Sequence, residues 1–196
     1  MREQSLRRAN WYRHVLAVNA PAALARWLTS GGSLTARLKG HSDAFRVQVL
    51  HQHAAPCLAD EAQVLGFARA TRCWEREVLL RCDNTPVVFA HTVVPMSADA
   101  SDWPLFSALG ERSLGTTLFG DPMVLRGALE YARLRASHPL ARRARAAWTA
   151  EGRAVPEEQL LYARRCLYRR RQGTLLVTEV FLPTVLKLVP RTSNTR

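Results

Sequence analysis

The chain has 196 residues, 47% of them hydrophobic, which is enough for one well-filled core and short for two full domains, so a single domain spanning residues 1–196 is expected. Its 28 Lys and Arg against 16 Asp and Glu leave a formal charge of +12, which attracts polyanions or steers small anionic ligands without choosing between them. No apolar run approaches the roughly 18 residues of a membrane span, and the basic start is followed by no apolar h-region, so secretion and membrane insertion are not expected and a cytoplasmic location is.

In chain order, residues 1–10 read as a loose basic lead-in. Pro21 opens a helical pattern (Ala22, Leu24, Ala25, Trp27, Leu28) that stops at Gly31-Gly32, and Ser33 caps a second short turn or helix running to Lys39 and Gly40. Phe45 to Leu50 alternates as a half-exposed strand, and His51 to Ala62 reads as a loop leading into a short helix. His51 and His53, two apart, would share a strand face, but no third ligand is in view. Cys57, Cys73, Cys82 and Cys166 are too widely spaced for a zinc or redox motif, so reduced thiols and no metal are expected.

Thr71 to Cys82 forms the next strand. Trp74, Arg76, Val78 and Leu80 make an apolar row with one guanidinium in it, and Glu75, Glu77 and Arg81 occupy the mostly polar opposite row. An inward arginine offers a planar fork to a carboxylate, either the protein's own or a ligand's, and spacing leaves both open. Asp83 to Pro86 is a turn, after which Val87 to Val94 returns as the second strand of an antiparallel hairpin. From Ser97 to Gly120 a Gly-punctuated segment with Trp103, Leu105, Phe106 and Leu109 is either a lid or a packed connection.

Asp121-Pro122 is read as the cap of a helix with Leu125, Leu129, Tyr131 and Ala132 on its apolar side, followed by a basic helix from Pro139 to Ala150 that ends at Gly152. Arg142, Arg143 and Arg145, with Arg164-Arg165 and Arg169 to Arg171, are either a nucleic-acid footprint or a solvated basic face. Tyr162 to Arg169 is a strand that pairs, through the Arg-Arg-Gln-Gly turn, with the most apolar stretch of the chain, Gly173 to Pro183. That stretch, apolar on both faces, belongs in the middle of a sheet. Its one charge, Glu179, shares a face with Leu175, Val177 and Phe181, so it must be neutralised, hydrogen-bonded or turned to a cavity holding something polar, and spacing leaves an ordinary ion pair inside the protein equally open. The tail from Val189 reads as loose.

Five stretches occur in an order that resembles chorismate pyruvate-lyase: Trp74 to Leu80, His91 to Pro95, Leu109-Gly110 through Leu114-Gly115, Ala163 to Arg165, and Leu176 to Pro183. The resemblance runs from about Trp11 to Leu188. It implies an α+β fold, an antiparallel β-sheet with helices packed on it and helical flaps over a buried ligand cavity. It also implies an enzyme that eliminates pyruvate from chorismate to give 4-hydroxybenzoate, the first committed step towards ubiquinone in bacteria, with neither metal nor organic cofactor. Family ligand contacts carry over to Arg76, Leu114, Glu179 and Leu34, the last a position where other members can have Met. Arg76 would clamp the ring carboxylate, and Glu179 would sit at the hydroxyl end to position it or shuttle a proton. These two are the expected catalytic residues. The stretch from about Ser137 to Gln159 departs from compact members by its length and added arginines.

Two rival readings come from other classes. A non-catalytic aromatic-acid sensor of the same fold would need a DNA-binding domain, for which the residues before Trp11 leave no room. A nucleic-acid-binding protein gains from the charge but lacks an aromatic-interleaved basic strand. Chorismate as small-molecule partner, no specific nucleic acid and a monomeric state are the expectation.

Overall fold

The computed structural model describes residues 8–98, 101–104, 106, 108–152 and 159–191; residues 1–7 of the lead-in, Leu105, positions 153–158 of the long basic segment and 192–196 of the tail lie outside them. Six strands, β1 (Phe45–Pro56), β2 (Arg72–Cys82), β3 (Thr85–Pro95), β4 (Leu125–Leu134), β5 (Leu161–Arg170) and β6 (Gly173–Phe181), form one antiparallel sheet in the order β1-β2-β3-β6-β5-β4. The most apolar stretch is thus flanked on both sides, as its composition requires. Around the sheet lie α1 (Ala22–Leu28), α2 (Leu34–Lys39), α3 (Ala59–Val64), α4 (Leu114–Gly120) and α5 (Pro139–Thr149). No helix among the described residues is long and apolar enough to cross a membrane.

Two tight turns build the hairpins. Asp83 and Asn84 both take left-handed backbone (φ 48° and 63°), the conformation whose twist matches a two-residue hairpin loop, and Arg171 (φ 51°) turns β5 into β6. Period-two alternation then sorts side chains to two cores. On the front face Val78, Leu80, Val88, Ala90 and Phe181 pack against Trp27, Leu28, Leu34 and Leu38 of α1 and α2. On the back Leu79, Phe89, Ala163 and Val180 pack against Leu140, Ala141, Ala144 and Trp148 of α5. His138 caps α5, accepting the Leu140 N–H at 3.2 Å, and Pro139 supplies its first turn.

Two expectations are corrected. The strand read as ending at Leu50 passes through a bulge between Val49 and His51 and continues to Pro56, because β2 offers a ladder as far as Arg72 that outweighs the mixed local pattern. The helix expected after Asp121-Pro122 is strand β4. Asp121 accepts the Met123 N–H at 2.8 Å as a turn only, and a bulge between Arg126 and Leu129 shifts the period of two, so Leu125, 69% exposed, lies on the face opposite Leu129 and the helical stripe does not form. Beyond the bulge Tyr131 joins the front core while Ala132 and Leu134 join the back one. The mostly polar row opposite Arg76 is buried as well: Glu75 and Glu77 are covered, whereas Trp74 at the start of β2 is 44% exposed.

At the ends of the described chain, Tyr12 and Tyr131 exchange backbone hydrogen bonds of 2.9 and 2.8 Å, and the Arg191 N–H donates to the Gly40 carbonyl at 3.1 Å.

Candidate active site

Two adjacent rows across the sheet make the floor of a cavity on the front face. In one, Arg76 lies opposite Thr92, Thr92 opposite Val177, and Val177 opposite Cys166; in the next, Val78, Ala90, Glu179 and Arg164 line up in the same strand order. Thr92 and Ala90 are small, so the floor dips between a guanidinium on β2 and a carboxylate on β6. At about 4.8 Å per strand, these two side chains spring from backbones about 10 Å apart, room for a benzene ring with a polar group at each end.

Leu34, Arg76, Leu114 and Glu179 all line this cavity, which holds about 640 Å³ including its mouth. Its roof is the start of α2 and of α4. Ser33 caps α2 by accepting the Ala36 N–H at 3.3 Å, and Ser113 precedes α4. The two helices meet where Thr35 Oγ1 and Ser113 Oγ lie 2.5 Å apart. Gly115 allows this approach, since a Cβ there would stand 2.9 Å from Thr35 Oγ1. The segment read as either a lid or a packed connection therefore contributes one of two helical flaps.

Arg76 is 2% exposed and has no carboxylate partner among the described residues. Its Nη2 donates to the Gly110 carbonyl at 2.8 Å and its Nε is buried without an acceptor. Burial lowers its pKa from that of a free guanidinium, the signature of a charge desolvated without an internal counter-ion. Glu179 does have a partner, and it is Arg164: Arg164 Nε donates to Glu179 Oε2 at 2.5 Å, while its Nη1 donates to the Leu28 and Ser30 carbonyls at 3.2 and 2.9 Å. Sequence reading left Arg164 in a basic cluster, although the turn at Arg171-Gln172, counted back along both strands, already sets position 164 opposite 179. Cys166 and Tyr168 complete the wall; burial pushes the thiol and the phenol up, so both are neutral hydrogen-bonding groups. Arg126 also lines the cavity, and reading β4 as a helix concealed it.

The sequence itself has known relatives. A profile of the family described as chorismate lyase matches residues 5–189. Proteins named probable chorismate pyruvate-lyase are 48% identical in Ralstonia nicotianae, over 85% of this chain and 84% of that one, and 47% identical in Cupriavidus metallidurans, over 91% and 82%. The chain belongs to the chorismate lyase family. Its fold, though not its sequence, is shared with PhnF from Mycobacterium smegmatis (13% identity, TM-score 0.53, 85% of this chain and 71% of that one). It is shared likewise with the C-terminal domain of the histidine utilization repressor from Pseudomonas syringae (10% identity, TM-score 0.52, 77% and 100%).

This member of the lyase family also carries a charged network on the back face, away from the cavity. His91 is fully buried, with Nδ1 3.0 Å from Glu77 Oε1 and Nε2 3.0 Å from Glu61 Oε1. Burial opposes its charge, but the Glu61 and Glu77 carboxylates more than offset it and push the imidazole up to about 10. Arg143 of α5 reaches Glu75 and Glu77 at 3.0 and 2.7 Å, and His51 Nε2 lies 2.8 Å from Glu75 Oε1. Despite the cost of burial, the carboxyls of Glu75 and Glu77 are held low by these cations. His51 and His53 do find a third donor in Glu75, all three within 4.8 Å, but the Glu75 carboxylate is already bonded to His51 and Arg143. Alternation showed that these side chains share a face; only packing of α3 and α5 over it makes that face an ion network.

Proposed function

We propose that the chain is a chorismate pyruvate-lyase acting as a single-domain monomer in the cytoplasm, making 4-hydroxybenzoate for ubiquinone without metal or organic cofactor. The observation that carries this reading is Arg76: a buried, forked cation with no carboxylate partner among the described residues, facing a ring-sized cavity whose far end bears a carboxylate. Arg76 takes the ring carboxylate in a bidentate pair, which the desolvated site strengthens. Leu34 and Leu114, at the openings of the flap helices, close over the ring and exclude water.

Held this way, the substrate presents its C4 hydroxyl towards Glu179. The C4–H bond and the C3–O ether bond break, and the C4–H electron pair becomes the last ring double bond. The leaving enolate carries away the ether oxygen and gains a proton at its methylene carbon, giving pyruvate. Atoms and charge balance with no external reagent, and aromatisation drives the step. Glu179, fixed by Arg164, orients the hydroxyl or passes the proton, and the flaps and floor contribute by orientation.

The test is direct. Chelator-dialysed protein given chorismate is expected to release pyruvate and 4-hydroxybenzoate in equal amounts, at a rate that added divalent metal does not change. Tight binding of both chorismate and 4-hydroxybenzoate with no pyruvate formed would replace the lyase by a sensor of the same fold.

A further inference from the structure

The cavity holds more positive charge than the ring carboxylate needs. Arg76, Arg126 and Arg164 line it against one carboxylate, Glu179, so three guanidiniums and one acid leave two charges uncompensated. Arg164 is consumed by Glu179 and by two backbone carbonyls. That leaves Arg76 and Arg126, and chorismate carries two carboxylates where 4-hydroxybenzoate carries one.

Arg126 is in the cavity because of a local distortion. Arg126 pairs with Tyr168 and Leu129 with Cys166, so one extra residue is accommodated between them on β4. Without it, side chains three apart would point to opposite faces; with it, both face the cavity. The bulge passes through Gly127, where a Cβ would stand 2.8 Å from the Leu167 backbone carbonyl oxygen, so no larger residue fits without moving the ladder. Arg126 then donates from Nη1 to the Gly31 carbonyl, and its guanidinium carbon lies 5.2 Å from the Phe119 ring centroid on α4. Its Nε is buried without a partner, and it has no carboxylate partner among the described residues.

We propose that Arg126, turned inward by the β4 bulge, is the subsite for the second carboxylate of the substrate, that of the enolpyruvyl group which leaves as pyruvate. This rests on the lyase reading and deepens it. The subsite separates substrate from product: cleavage removes the one group that Arg126 holds, while Arg76 keeps the ring acid. Contact with Gly31 and Phe119 ties the same guanidinium to both flap regions, so a filled subsite braces the roof.

The experiment compares two ligands on the full chain. For Arg126→Ala, kcat/KM for chorismate is expected to fall about 10- to 100-fold, mainly through KM, the scale of a lost charge-assisted pair. Calorimetric affinity for 4-hydroxybenzoate should stay within about twofold. Arg126→Lys, which keeps the charge and loses the fork, should fall between. Equal losses for both ligands would overturn the subsite and reduce Arg126 to a strut for Gly31, and unchanged chorismate kinetics would overturn it outright. If the Ala variant does not fold, the Lys variant decides by the same comparison. A wild-type chain that binds chorismate and releases no pyruvate refutes the lyase reading alone, and calorimetry with chorismate and 4-hydroxybenzoate then decides the subsite.

Discussion

Arg164 and Glu179 face each other across the β5–β6 ladder, joined by an Arg164 Nε to Glu179 Oε2 bond of 2.5 Å, and the guanidinium is further anchored on the Leu28 and Ser30 carbonyls. The carboxylate that ends the cavity is therefore held by a side chain that is itself held by the loop after α1.

Glu179→Gln keeps the size and a hydrogen-bonding end but gives up proton transfer. Binding of 4-hydroxybenzoate is expected near the parent value, with kcat for chorismate lower by about 100-fold, in the range of lost general acid or base action. Full activity would make Glu179 a positioning group only. Arg164→Met, by contrast, leaves a carboxylate without its cation and is expected to destabilise the fold by about 3 kcal/mol, read in urea unfolding.

Arg76→Lys should weaken both ligands, since both carry the ring carboxylate. A point charge cannot form the two parallel bonds of the fork, so kcat/KM for chorismate and affinity for 4-hydroxybenzoate are each expected to fall about 10-fold or more. This shared loss distinguishes Arg76 from Arg126. Parent-like kinetics in the Lys variant would count heavily against the clamp.

The back-face network makes a pH prediction of definite sign. His91 binds its proton more tightly in the folded chain, with a pKa of about 10 against 6.5 unfolded, so its contribution to stability is complete below pH 6.5 and is lost as pH rises towards 10. Glu75 and Glu77 are depressed when folded, so theirs is present above the unfolded value of 4.5 and lost as pH falls through the lower folded values. Urea unfolding from pH 4 to 10 should show a plateau between, and His91→Gln should flatten the alkaline limb. An alkaline limb unchanged in that variant would remove His91 from the account.

The arginines of α5 are expected to bind random DNA weakly, with binding gone at moderate salt. Arg143 is already spent on Glu75 and Glu77, which thins the basic face. Tight, sequence-selective binding at physiological salt, measured by fluorescence anisotropy, would restore the nucleic-acid reading.

Much of this was written in local pattern. The stretch Gly173 to Phe181 is apolar on both faces and belongs in mid-sheet because a strand with neighbours on both edges and cores on both sides has no wet surface to offer. The two hairpins follow from their turn residues, and with them the pairing of Arg164 with Glu179. The lone guanidinium at Arg76 and the lone carboxylate at Glu179 stood out because each interrupts an apolar row. Tertiary structure decided what periodicity cannot carry. Gly127 lets β4 bulge, which breaks the count of two and turns Arg126 inward. Glu75 and Glu77 belong to a mostly polar row on their own strand and become buried ions only because α3 and α5, distant in sequence, bring Glu61 and Arg143 over them. Alternation along a strand specifies which side chains share a face; what covers that face depends on elements folded back from elsewhere in the chain, and that alone sets whether a charge meets water, a counter-ion or a ligand.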